Sequence, residues 1–152
     1  MRKYSYSEAD LRDRYIGFLK NESDIQPYTE VPVFCRSVDL VLQDNKEESL
    51  TAIEFKLHDW KRAIYQVQGV GLCFDFLCIC LPKPKTVIGE QNIINACKNS
   101  GIGLIFYNDL SDEFETMLYG IRVPSVWKAQ RDMIIESLEE KAYEQSPENA
   151  PV

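Results

Sequence analysis

The segment 75–81, Asp-Phe-Leu-Cys-Ile-Cys-Leu, is an almost unbroken apolar run halted by Pro82 and Pro84. It constrains the fold more than any other stretch. Its length suits a strand, and a strand this apolar needs cover on both faces, as in a helix-flanked parallel sheet. Proline cannot donate to the ladder, so Pro82 and Pro84 end it. Suitable helices flank it. Asp59 caps one that runs to about Val70, where Gly69 and Gly71 weaken its end. Residues 89–99 read as another, closed by Gly101, and residues 102–107 return as a second apolar strand. Two apolar strands bounding a helix predict a parallel βαβ unit.

Upstream, Ser7 can cap an amphipathic helix over residues 7–19, with Asp10 three positions on and Leu11, Tyr15 and Phe18 at helical spacing. Residues 21–27 are polar and turn-prone. Three extended stretches follow at 29–34, 36–43 and 50–57. The last two are joined by the turn-like Asp44-Asn45-Lys46-Glu47-Glu48, so they form an antiparallel hairpin. Residues 108–124 carry no readable periodicity. A final helix starts at Ser125, with Trp127, Met133, Ile134 and Leu138 as candidate contacts. The expectation is one α/β domain with a mixed sheet: an αβββαβ core extended by a further helix, strand and C-terminal helix. It spans residues 1–143, followed by a polar tail at 144–152.

Composition narrows the function classes. The chain has 152 residues, enough for one domain with a real core. Its longest apolar run, residues 72–81, is too short to span a bilayer. The opening Met1-Arg2-Lys3-Tyr4-Ser5 leads into a polar stretch without an apolar leader, so a cytoplasmic, membrane-free protein is expected. Five cysteines without zinc or CxxC spacing read as buried, reduced thiols. The single histidine, His58, excludes multi-histidine metal sites. The net charge of −7 runs against nucleic-acid binding. Over half of that excess comes from residues 136–152, where five glutamates face one lysine.

The chemistry concentrates in two neighbouring strands. In Ala52-Ile53-Glu54-Phe55-Lys56-Leu57 the alternation puts Glu54 and Lys56 on one face and Ile53, Phe55 and Leu57 on the other, buried one. In Val38-Asp39-Leu40-Val41-Leu42, Asp39 interrupts an apolar strand, with Val38, Leu40 and Leu42 on the opposite face. If the strands pair, Asp39 faces Glu54 across about 4.8 Å. Two such carboxylates can share a hard cation such as Mg²⁺, which takes oxygen ligands at about 2.1 Å. Lys56 then stands where its ammonium can reach a water or a phosphate oxygen. In the next helix Gln66 falls on the apolar stripe of Ala63, Val67 and Val70. It is therefore directed toward the carboxylates, where it needs a hydrogen-bond partner.

These residues, Val38-Asp39 with Glu54-Phe55-Lys56 and the following Asp59-Trp60-Lys61-Arg62-Ala63-Ile64-Tyr65-Gln66, resemble the PD-(D/E)xK, or restriction-endonuclease-like, nuclease superfamily. Its αβββαβ core matches the predicted order over residues 7–81. The resemblance implies a magnesium-dependent nuclease, with Mn²⁺ as a substitute, that hydrolyses a nucleic-acid phosphodiester by metal-activated water. It implies that Asp39 and Glu54 bind the metal with the Phe55 carbonyl, that Lys56 assists the attacking water or the transition state, and that Gln66 orients the site. Glu30 matches an extra acidic residue seen in many members. Val38 replaces the motif's proline, and Val70 stands where some subfamilies carry a tyrosine.

Lys61, Arg62, Lys83 and Lys85 are candidate phosphate contacts. DNA is the favoured substrate over RNA, and cutting both strands would favour a homodimer. The alternative is a nuclease-fold binding or assembly protein that acts only within a larger complex, motivated by the acidic body and the lack of a basic extension.

Overall fold

The computed structural model describes residues 3–124 and 126–144. In chain order the elements are α1 (Glu8–Phe18), β1 (Ile25–Val33), β2 (Arg36–Asp44), β3 (Ser49–Phe55), α2 (Trp60–Gln68), β4 (Phe76–Pro82), α3 (Val87–Ser100), β5 (Gly103–Asn108), β6 (Glu113–Leu118) and α4 (Lys128–Glu144). The first six reproduce the expected αβββαβ order. The strands form one sheet in sequence order, β1-β2-β3-β4-β5-β6. Pairs β3–β4 and β4–β5 are parallel and the rest antiparallel.

Connectivity decides which face each helix covers. β3-α2-β4 and β4-α3-β5 step across the sheet in the same direction. Crossovers of one hand therefore lay α2 and α3 on the same face. Ala63 and Val67 of α2, Ile93 and Cys97 of α3, and Ile134 and Leu138 of α4 bury there against Val41, Ile79, Leu104 and Phe106. The other face is left to α1, whose Leu11 and Tyr15 pack with Tyr6 on Leu40, Ile53, Phe55, Cys80 and Ile105. Both faces of β3 are thus covered. Glu54 is only 4% exposed, so the face expected to be the wet one is buried as well.

Local chemistry sets the boundaries. A reciprocal capping box starts α1: Asp10 N–H donates to Ser7 Oγ at 3.0 Å, and Ser7 N–H to Asp10 Oδ2 at 2.9 Å. Asp59 caps α2 through the Arg62 N–H at 3.0 Å. Thr86 caps α3, accepting from Gly89 N–H at 3.0 Å, so that helix begins two residues before the expected Gly89. Gly101 closes it at φ 68°, a conformation costly for a residue with a Cβ.

Several expectations need correction. β1 starts at Ile25 rather than residue 29, absorbing part of the segment taken as a turn. Pro27 is tolerated because β1 is an edge strand. Residues 113–118, unreadable in sequence, form the opposite edge strand. β6 buries none of its side chains fully and exposes Glu113 and Glu115, so it shows little apolar alternation. In β2, Val38 does not share a face with Leu40 and Leu42. It joins the α2-side core while they join the α1-side core. The last helix begins at Lys128, and Ser125 lies outside the described residues. Of its four candidate contacts, Ile134 and Leu138 are buried, whereas Trp127 and Met133 are exposed. Trp127 instead sets its ring 6.3 Å from that of Phe34. The tail beyond Glu144 also lies outside the described residues. Among the described residues no helix is long and apolar enough to cross a membrane.

A buried carboxylate ties the C-terminal segment to the far end of the sheet. Asp75, 3% exposed, accepts from Leu50 N–H at 2.8 Å, from Arg131 at 2.8 Å and from Arg122 at 3.2 Å. Removing one partner of a buried ion pair costs roughly 3–5 kcal/mol, and an exposed one at most about 1. Asp75→Ala is therefore expected to lose about 3 kcal/mol or more in urea unfolding. Arg122→Ala, whose side chain is 55% exposed, is expected to lose about 1 kcal/mol or less. Equal losses in the two variants would refute this ranking.

Candidate active site

The sheet splits at one point, and the candidate site occupies the split. β2 pairs with β3 from Asp44↔Ser49 up to Leu40↔Ile53. Beyond Leu40, β2 pairs only with β1, while β3 continues along β4 as far as Phe55↔Cys80. One further step of the β2–β3 register brings Asp39 beside Glu54, the juxtaposition expected from sequence. On the other side of β2, pairing runs Thr29↔Leu40 and then Val31↔Val38. It skips Glu30, which sits at φ 49°. That lapse breaks the alternation and explains why Val38 turns to the other core.

The splay leaves the Phe55 N–H without a strand partner, because Lys56 N–H is the one that faces β4, donating to Cys80 O at 3.2 Å. Asp39 Oδ2 takes the Phe55 N–H at 2.9 Å. One bond thus satisfies the main chain and fixes the carboxylate at the mouth of the split. The Phe55 ring is buried on the α1 side, so only its main chain borders the site.

A cleft of about 260 Å³ opens here. It is lined by Asp39, Glu54, Lys56, Gln66 and Glu30 together with Glu8, Ala9, Arg12 and Ser37. Glu54 is the buried acid. Burial, and next the Asp39 carboxylate beside it, push its pKa well above the ordinary carboxylate range. Lys56 acts in the opposite direction and does not prevail. Gln66 Oε1 is buried without a hydrogen-bond partner among the described residues. The Gln66 main-chain carbonyl is held by Arg36 at 2.8 Å.

Glu8, Arg12 and Ser37 were not singled out in the sequence. Glu8 opens α1 and accepts from Leu57 N–H at 3.0 Å, with its other oxygen 3.9 Å from Lys56 Nζ. It therefore tethers the lysine and the end of β3 together. Arg12, one helical turn on, donates to Glu30 at 2.7 Å, and Ser37 Oγ donates to the other Glu30 oxygen at 2.9 Å. Glu30 reaches the cleft but has both oxygens engaged. The i, i+4 spacing of Glu8 and Arg12 was a usable signal, but nothing local says that α1 docks over this end of the sheet.

Lys61, Arg62, Lys83 and Lys85 do not line this cleft. Lys61 and Arg62 are exposed on α2, over the rings of Trp60 and Tyr65 at 5.5 and 5.8 Å. Lys83 and Lys85 follow β4 and line neighbouring cavities.

The groups of this cleft that could hold a metal ion are Asp39, Glu54 and Gln66. Two carboxylates meet in a cleft where Lys56 is the cation acting on Glu54, and an unpartnered amide oxygen is buried beside them. No cluster of three or more His, Cys, Asp or Glu ligands forms among the described residues.

No family model and no curated protein matches the chain. Among solved structures, a protein of unknown function from Silicibacter pomeroyi matches at TM-score 0.64 and 14% identity, over 98% of this chain and 99% of that one. The two share a fold: a single α/β domain built on a mixed sheet. A repair endonuclease from Pyrococcus abyssi aligns at TM-score 0.49 and 17% identity, over 71% of this chain and 50% of that one.

The Glu54 environment has a stability consequence in the metal-free protein. A folded-state pKa above the unfolded value means that ionising Glu54 costs stability. The cost is absent below the ordinary carboxyl value of 4.5 and grows as pH rises above it. Glu54→Gln, which cannot ionise, is expected to melt a few degrees above the wild type at pH 7, at about 2–4 °C per kcal/mol. The gap should close below pH 4.5. Equal or lower melting of the variant at pH 7 would contradict this account.

Proposed function

We propose that the protein is a divalent-metal-dependent nuclease of the PD-(D/E)xK type, hydrolysing a nucleic-acid phosphodiester, with DNA the favoured substrate. The supporting observation is that Asp39, Glu54, Lys56 and Gln66, from three separate elements, line one cleft. Asp39 and Glu54 would hold Mg²⁺, or Mn²⁺ in its place, with the Phe55 carbonyl as a further oxygen. When bound, the metal supplies positive charge against the phosphate and acidifies water.

The chain's own groups have distinct tasks. Phe55 N–H fixes the direction of Asp39. Lys56, steadied by Glu8, offsets negative charge on the phosphate oxygens as the water oxygen bonds to phosphorus and the P–O bond to the leaving sugar breaks. Gln66 Oε1 offers an acceptor that can orient the attacking water. The buried surroundings of Glu54 strengthen each of these interactions by lowering the local dielectric.

A partner-dependent or non-catalytic binding protein is the second reading, favoured by the net charge of −7. Calorimetry with Mg²⁺ or Mn²⁺, run beside cleavage of plasmid and single-stranded DNA, separates the two. Asp39→Ala and Glu54→Ala are expected to lose metal binding and cleavage together. Lys56→Ala is expected to keep the metal and lose about 10²–10³-fold in rate. Full activity in all three variants would overturn the nuclease reading. Metal binding by wild type without cleavage would favour the second.

A further inference from the structure

Past Lys56 the chain leaves the cleft and enters a second cavity. Leu57 and His58 both line a pocket of about 360 Å³ between the exit of β4 and the first turns of α3. Its base is apolar, with Leu81 and Ile93 each 3% exposed. Three flat side chains, Tyr4, His58 and Trp60, also line it. The Tyr4 and His58 rings lie 5.2 Å apart at a tilt of 41°, and Lys61 is held 5.5 Å from the Trp60 ring. Lys85 and Asn92 are exposed at its edge. The bond from Leu57 N–H to Glu8 couples this pocket to the group that tethers Lys56.

We infer that this pocket takes one unpaired nucleobase of the strand whose backbone crosses the cleft, so that the protein acts on single-stranded nucleic acid. The inference rests on the nuclease reading for the position of the phosphate. An open pocket with an apolar base, aromatic lining side chains and Lys85 at its edge suits a base with its attached phosphate: the rings offer stacking faces, and the lysine meets the backbone. The volume lies in the ~300–1,000 Å³ range of small-ligand sites. By chain geometry His58 Cα is no more than about 7 Å from Lys56 Cα, so base and scissile phosphate can belong to neighbouring nucleotides. A base inside a duplex is stacked on both sides and enters only after unstacking, at a cost of a few kcal/mol. Asn92 offers both donor and acceptor at the edge for reading a base. Stacking also supplies affinity that the acidic overall charge does not oppose.

The test uses the full chain without divalent metal, so that no substrate is consumed. The Trp60 fluorescence is read in a Trp127→Phe background. A short oligothymidylate is compared with an abasic oligonucleotide of equal length and with the oligothymidylate paired to oligodeoxyadenylate. The single strand is expected to perturb Trp60 and to bind roughly 5- to 150-fold more tightly than the abasic chain, the range that stacking one base is worth. The duplex should resemble the abasic chain. Tyr4→Ala and His58→Ala should each remove most of the difference, whereas Tyr4→Phe and His58→Phe should retain it. Equal binding of base-bearing and abasic chains, or full affinity in the alanine variants, overturns the inference. Metal-dependent cleavage without base-dependent binding would sink the pocket and leave the nuclease reading standing. Base-dependent binding without cleavage under Mg²⁺ would do the reverse.

Discussion

The carboxylate of Asp39 accepting the Phe55 N–H is the contact around which the functional end of the molecule is arranged. Where β2 parts from β3, a main-chain donor would be left unpaired at the edge of a cleft. Burying an unpaired donor costs on the order of 1–3 kcal/mol. An acid at position 39 satisfies it and in doing so is locked into one orientation. The same parting lets α1 approach, so that Glu8 and Arg12 reach the cleft from the opposite face to α2, which brings Gln66. The site is thus assembled from both layers, and the gap in the ladder makes that possible.

Two buried acids in this sheet illustrate how surroundings assign roles. Asp75 meets two arginines and a main-chain N–H, so its charge is matched and its work is structural. Glu54 is equally buried but has Asp39 for a neighbour and Lys56 as its opposing charge. Its surroundings disfavour the ionised form until more positive charge arrives. A carboxylate held this way is poor for stability and well suited to a cation.

Much of the fold was legible because its signals are local. The apolar run of β4 between Asp75 and Pro82, the Ser7 and Asp59 caps, and Gly101 each reflect an interaction within a few residues. The strand directions followed from connection lengths, since the short turn after Asp44 predicts an antiparallel hairpin and a helical link allows a parallel pair. The edge strands were hard to read for the opposite reason. β1 was read only from residue 29, because Pro27 breaks the pattern of its first half, although Tyr28, Val31 and Val33 are buried; β6 carries exposed glutamates and buries none of its side chains fully.

For the candidate site the division is similar. The sequence by itself determined that Glu54 and Lys56 alternate on one side of a strand, that Asp39 interrupts its neighbour, and that Gln66 lies on the inward stripe of the next helix. Periodicity alone carries that information. Only the tertiary structure decided that the face bearing Glu54 is buried, that Glu30 is engaged by Arg12 and Ser37, and that Glu8 reaches across to Lys56. Those facts depend on where α1 docks and where the sheet splits. Both are set by packing between segments far apart in sequence, which no local pattern encodes.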